Sequence, residues 1–183
     1  MLFVDGENLV IRFQNMVEKG WVPRTDDFTH VKDTLVWHNT YSQGVMMHEV
    51  LRATYYTYVV GDSQRVEAVE SQIRSLHFTH HRNSTLPTQL TPRVFKKNNK
   101  AAKAKGVDVA MVVDVLGHVH ADNVDTVLLL SGDGDYLPLI TEVQRAGKQC
   151  YVSAFSDGLN PGLRNVADSF YCLDGTTFSA GPG

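Results

Sequence analysis

Two short apolar runs, each stopped by an aspartate, constrain this chain's fold more than any other feature. Leu2-Phe3-Val4 ends at Asp5, and Thr126-Val127-Leu128-Leu129-Leu130 ends at Ser131-Gly132-Asp133-Gly134-Asp135. A strand that is apolar on consecutive residues must be covered on both faces. That is the pattern of a parallel sheet between two layers of helices, and an antiparallel sheet with one wet face would alternate instead.

The segments between the runs supply the helices. Leu9, Val10, Phe13, Met16 and Val17 recur at helical spacing, as do Val66, Val69, Ile73 and Leu76. Val107, Met111, Val115 and Val119 fall every fourth residue and predict a helix over 107–119. A helix over 136–146 is closed by Gly147 at the position after its C-cap, and a short one over 161–167 opens on Pro161. Phe28, Val31, Leu35 and Trp37 predict a helix over about 27–41. Further strands are expected at 49–60, rich in β-branched and aromatic residues, at 149–155 and at 170–173. Tyr56 and Tyr58 should share one face of the first of these. Residues 77–105 are weakly periodic and read as a loop-rich excursion with a short strand at 93–97. The expected architecture is a three-layer α/β/α domain with a mainly parallel central sheet. One domain should span residues 1–175, followed by a loose C-terminal tail at 176–183.

A chain of 183 residues, 43% hydrophobic and 20% charged, can bury a core and suits one domain. The two cysteines, Cys150 and Cys172, form no metal-binding spacing and read as buried free thiols of a reducing compartment. No apolar run approaches a membrane span, and Asp5 and Glu7 sit where a secretory signal would be basic and then apolar. The sequence-based expectation is a cytoplasmic protein with no membrane partner, monomeric or homodimeric.

The net charge of −3 hides two asymmetries. The first is acidic: of 20 acids, 14 are Asp. In parallel α/β sheets, ligands bind beyond the carboxyl ends of the strands. If the two runs are neighbours, Asp5, Asp133 and Asp135 converge there. Like charges raise one another's pKa, so one acid is protonated, a basic side chain neutralises them, or a divalent cation such as Mg²⁺ or Mn²⁺ binds. Asp108, at the start of the 107–119 helix, is a fourth candidate. Its plainer role is an acid favoured by the helix dipole.

Three ordered segments carry a family resemblance: FVDGENL at 3–9, KGVDVAMVVDVL at 105–116 and SGDGDYLPLI at 131–140. Together they resemble the NYN domains of the PIN-like nuclease superfamily, with the bacterial LabA-like proteins the nearest group. The resemblance runs over nearly the whole chain, and residues 77–104 match none of its motifs. It implies a PIN-like fold and a metal-dependent ribonuclease using Mg²⁺ or Mn²⁺. The family's acidic positions fall on Asp5, Asp108, Asp133 and Asp135. Asn8 matches its polar residue after the first aspartate, and Ser131 lies within the third motif. Such a site hydrolyses phosphodiesters by activating water at bound cations, with Asp135 as a candidate proton acceptor and 5′-phosphate and 3′-hydroxyl ends as products.

The second asymmetry is basic. Residues 71–107 contain no Asp or Glu but hold 8 of the 17 Lys and Arg residues. Arg93, Lys96, Lys97, Lys100, Lys103 and Lys105 lead directly into Asp108 and are candidate RNA-phosphate contacts. A charge run is also the ordinary dress of a solvated surface. His118 and His120 diverge on a helix and make poor joint metal ligands. Three alternatives remain open: an RNA-binding or scaffold module without catalysis, an aspartyl phosphatase suggested by the DxD spacing at 133–135, and a dinucleotide-binding enzyme. The last is disfavoured because no GxGxxG follows the first strand.

Overall fold

The computed structural model describes residues 1–24, 28–42, 49–79, 87–97 and 105–181. The first strand, β1 (Leu2–Asp5), is buried along its whole length and passes directly into α1 (Gly6–Glu18). The short β2 (Val22–Pro23) follows, then an antiparallel hairpin of β3 (Thr29–Val31) and β4 (Leu35–Trp37). Next come β5 (Ala53–Val60), α2 (Ser63–Ser75), the antiparallel pair β6 (His77–Thr79) and β7 (Pro87–Gln89), and β8 (Thr91–Lys97). The second half runs through α3 (Lys105–His120), β9 (Thr126–Leu130), α4 (Leu137–Arg145), β10 (Gln149–Ala154), α5 (Pro161–Val166) and β11 (Ser169–Cys172). It closes with α6 (Asp174–Thr177) and β12 (Phe178–Ala180).

Six strands form one parallel sheet in the order β11-β10-β9-β1-β5-β8. The two apolar runs are adjacent, with Val4 opposite Leu130. Alternate residues feed separate cores. Leu2, Val4, Tyr55, Leu128 and Leu130 pack with α1 and α2 on one side. Phe3, Tyr56, Val127 and Leu129 pack with α3, α4 and α5 on the other. Both faces are covered, so consecutive residues are apolar. Tyr58 joins Tyr56 on the α3 side.

The structure corrects three expectations. Residues 25–27 lie outside the described residues, and from Thr29 the segment expected as a helix over 27–41 is the β3–β4 hairpin, with a single 3₁₀ turn at Asn39–Ser42. Leu35, Val36 and Trp37 are all buried, which one helical stripe cannot arrange, and Asp33 turns the chain with φ of 57°. The 77–105 excursion holds a seven-residue strand, β8, that forms an edge of the main sheet. Within the tail expected to be loose at 176–183, α6 ends at Thr177, β12 pairs with β2, and Phe178 packs against Phe13 at 5.6 Å between ring centroids. Cys150 is buried, whereas Cys172 is only half-buried; both are free thiols. No helix among the described residues is long and apolar enough to cross a membrane.

Candidate active site

Going outward from β1, the chain continues through β5 and β8 in one direction and through β9, β10 and β11 in the other. The crevice at this reversal, beyond the carboxyl ends of β1 and β9, is where parallel α/β sheets bind ligands. Asp5 stands there as both the last residue of β1 and the N-cap of α1. Its Oδ1 accepts the Asn8 backbone N–H at 3.0 Å, and its Oδ2 accepts the Ser131 hydroxyl at 2.9 Å. The Ser131 oxygen in turn accepts the Asp133 N–H at 3.1 Å, and Asn8 Oδ1 accepts the Gly132 N–H at 3.0 Å. Asn8 and Ser131 therefore fasten the loop after β9 to the start of α1.

Asp133 caps a 3₁₀ turn at Gly134–Tyr136 by accepting the Asp135 N–H at 3.0 Å. Neither flanking glycine uses a positive φ. What Gly134 supplies is room, because a Cβ there would meet Asn160 Nδ2 at 2.0 Å. The turn delivers Tyr136, whose buried hydroxyl donates to Asp108 Oδ1 at 3.2 Å. This phenol ties the first turn of α3 to the acidic loop. Its position at the start of a helix, directly after the two acids, was the available sequence signal.

The electrostatics follow from burial. Asp5 is only 4% exposed. Burial pushes its carboxyl up to about 7, the hydrogen bonds from Asn8 and Ser131 oppose that rise, and the charges of Asp108 and Glu7 add to it. Asp108 is also raised, chiefly by desolvation and then by Asp133 and Asp135, while Tyr136 and Lys97 pull it down. Burial, reinforced by Asp5, Asp108 and Asp133, raises Tyr136 and keeps its phenol a proton donor. The carboxylates thus form one mutually repelling group.

The candidate RNA contacts divide. Arg93 reaches both oxygens of Asp114 at 3.2 Å, and Tyr56 donates to the same carboxylate at 2.8 Å. Lys97 is 8% exposed, with Nζ 3.5 Å from the Tyr58 ring centroid and 3.8 Å from Glu7. Arg93 and Lys97 are therefore tied into the fold and are not free surface cations. Lys96 is exposed. Lys100 and Lys103 lie outside the described residues, and Lys105 opens α3. Glu7 was not singled out in the sequence, although it stands two residues after Asp5 in the first motif.

A family model for the NYN domain matches residues 1–174. The chain belongs to the NYN domain family. NYN domains are PIN-like nucleases, generally dependent on divalent metal. The chain is 37% identical over 65 residues to an uncharacterised protein of Methanocaldococcus jannaschii, a match covering 36% of this chain and 27% of that one. It thus spans about a quarter of that relative. The fold is that of a crystal structure of a protein of unknown function from Vibrio parahaemolyticus. The two superpose with a TM-score of 0.63 and 19% identity, over 97% of this chain and 93% of the other.

The donor chemistry of this NYN site suits a hard cation, being carboxylate oxygen throughout. Among the described residues, no group of three or more His, Cys, Asp or Glu is arranged to hold a metal ion. Mg²⁺ commonly keeps several waters and takes one or two carboxylates plus substrate phosphates. The residues therefore fit an ion completed by substrate and not a closed protein cage.

Proposed function

We propose that this NYN domain is a ribonuclease that hydrolyses RNA phosphodiesters with Mg²⁺ or Mn²⁺, leaving 5′-phosphate and 3′-hydroxyl ends. The observation that carries the reading is the buried Asp5 carboxyl at the strand-order reversal, raised to about 7 beside Asp108 and linked through Ser131 to Asp133. A buried acid at that pKa within a like-charged group is a liability to the fold unless a cation uses it. When bound, such an ion neutralises phosphate oxygens and lowers the pKa of an attacking water.

The chain's own residues do the rest. One or two of Asp5, Asp108 and Asp133 would ligate the ion directly, and the others would hold its waters. Ser131 and Asn8 fix Asp5, and Tyr136 occupies one oxygen of Asp108 so that the other is available. Asp135, exposed at the edge of the turn, would accept the proton of the attacking water. The charge of Lys97 draws Asp108 toward ionisation.

The test is incubation of single-stranded and structured RNA with Mg²⁺, Mn²⁺ or EDTA, beside Asp133→Asn and Asp5→Asn. Cleavage should need the cation and fall at least a hundredfold in either variant, the scale of losing a metal or a stabiliser of developing charge. Cleavage in EDTA, or full activity of Asp133→Asn, would overturn the reading. A second reading, an RNA-binding module without catalysis, is favoured by the absence of a three-ligand group among the described residues. RNA binding with no Mg²⁺ uptake in a calorimetric titration would establish it.

A further inference from the structure

A cleft of about 330 Å³ opens beside the acidic site. It arises from a step in the sheet. β1 ends at Asp5, opposite Tyr56, whereas β5 continues through Val60 with β8 alongside as far as Lys97. Since α1 springs directly from the end of β1, the projecting end of β5 and the first turns of α1 enclose a space. The turn of the β3–β4 hairpin closes a third side. Gln14 on α1 holds that turn, accepting the Asp33 N–H at 2.8 Å and donating to Asp33 Oδ1 at 3.0 Å.

The wall between cleft and acidic site is Glu7. Lys97 pairs with its carboxylate at 3.8 Å, so an acceptor faces the cleft. Ile11 and Val60, each 41% exposed, give the cleft an apolar surface. Lys32 and Arg65 stand on its rim, and neither makes an ion pair among the described residues. Most of the other described cations are already engaged: Arg93 with Asp114, Lys97 with Glu7, Arg145 with Glu142, Lys148 with Asp122.

We propose that this cleft, closed by the β3–β4 turn, takes one unpaired nucleotide of the RNA strand next to the scissile phosphate. The inference rests on the ribonuclease reading above. Three features match a nucleotide. The volume lies at the small end of ligand sites, enough for a single nucleotide but not for a base pair. Unpaired cations at the rim match a phosphate. The apolar patch of Ile11 and Val60 matches a base face, and Glu7 and Asp33 offer acceptors to base or ribose donors. The strand would enter past Lys32 and Arg65 and reach the carboxylates over Glu7.

The experiment uses the whole chain in EDTA with a fluorescent single-stranded RNA ten-mer and the same RNA as a duplex. Methyl NMR of Ile11 and Val60 is recorded alongside anisotropy. Lys32→Ala with Arg65→Ala should raise the single-strand Kd five- to tenfold and reduce its log–log salt slope by about 1.4, two phosphates at roughly 0.7 each. Ile11→Trp, which fills the cleft without changing charge, should raise Kd similarly and KM for cleavage more than it lowers kcat. Arg145→Ala, on α4, should change nothing. The single strand should shift the Ile11 and Val60 methyls and the duplex should not. RNA that is bound and cut with unmoved methyls and unchanged Kd in the variants overturns the cleft and leaves the ribonuclease standing. Binding in the cleft without cleavage in Mg²⁺ or Mn²⁺ keeps the cleft and overturns the ribonuclease. Equal cleavage of duplex RNA overturns the proposal, because a paired nucleotide does not fit the cleft.

Discussion

The position of Asp5 is set by the smallest residue beside it. Gly6 begins α1, and a Cβ on it would lie 2.2 Å from Tyr55 Cε1 and 2.7 Å from the Tyr56 carbonyl oxygen. Tyr55 cannot retreat, because it is fully buried and its hydroxyl both donates to the Val36 carbonyl and accepts the Val36 N–H at 3.2 Å. A glycine is thus required here by the approach of the helix to the sheet and not by backbone conformation. Gly6→Ala should cost about 1–3 kcal/mol, the range for overpacking a tight core. Urea unfolding would measure the loss. Because the helix must lift from β5 to make room, the Asn8 bond to Asp5 loosens as well, and any nuclease activity should fall by more than the folded fraction does. The acidic residues themselves were legible at this scale, since each follows an apolar run or opens an apolar helix. Tyr136 and Glu7 were not, because their parts depend on which groups the fold sets opposite them.

At the scale of elements, the strands buried on both faces were the readable ones. β1, β9 and β10 appear as compact apolar runs because helices cover them on both sides, and α3 announces itself by a valine or methionine every fourth residue. β8 is harder to read because it is an edge strand. Arg93 and Lys97 interrupt its apolar pattern, and each is neutralised by a carboxylate remote in sequence. The β3–β4 hairpin is obscured for the opposite reason. Phe28, Val31 and Leu35 fit helical spacing, but the burial of Leu35, Val36 and Trp37 together decides against it. β12 was missed because a three-residue strand is held by one aromatic anchor, Phe178, in a cluster built from distant segments. The division of the basic window predicts a contrast. Arg93→Ala should destabilise the fold by about 0.5–1 kcal/mol, as expected for a partly exposed ion pair, and leave the salt dependence of RNA binding unchanged. Lys96→Ala should leave stability unchanged and lower the salt slope by about 0.7 if it touches one phosphate. Urea unfolding and anisotropy over a salt series would separate the two.

For the molecule as a whole, the net charge of −3 says little, because a raised carboxyl at the centre governs how stability responds to pH. Asp5 titrates near 7 in the folded chain and near 3.8 when unfolded. Between those values the folded state binds more protons than the unfolded one, so stability falls as pH rises through that window. The raised Asp108 acts in the same direction. His30, packed on Phe13 and lowered by burial, acts in the opposite direction, since staying neutral becomes easier as pH rises. It is only partly buried, so its effect is small; the N-terminal ammonium, lowered to about 6 by burial, acts in the same direction as His30 as pH rises from about 6 to 8. Without divalent ions the protein should therefore be most stable in mild acid, lose on the order of a few kcal/mol as pH rises to about 6–7, and regain part of that by about pH 8 through the N-terminal ammonium. Asp5→Asn should remove most of that decline while leaving the smaller decline due to Asp108 and the opposing rise due to His30 and the N-terminal ammonium, which makes the difference between the two curves diagnostic. A cation that binds only the ionised, folded site adds stability as RT ln(1 + [L]/Kd), about 2.7 kcal/mol at a hundredfold excess over Kd. Mg²⁺ or Mn²⁺ should thus restore above pH 7 what ionisation of Asp5 takes away, and do little near pH 5. Unfolding midpoints across that pH range, with and without the ion, in the wild type and Asp5→Asn, test both halves of the argument. A flat wild-type profile would show that Asp5 is not held up, and equal gains from the ion in both proteins would place its site elsewhere.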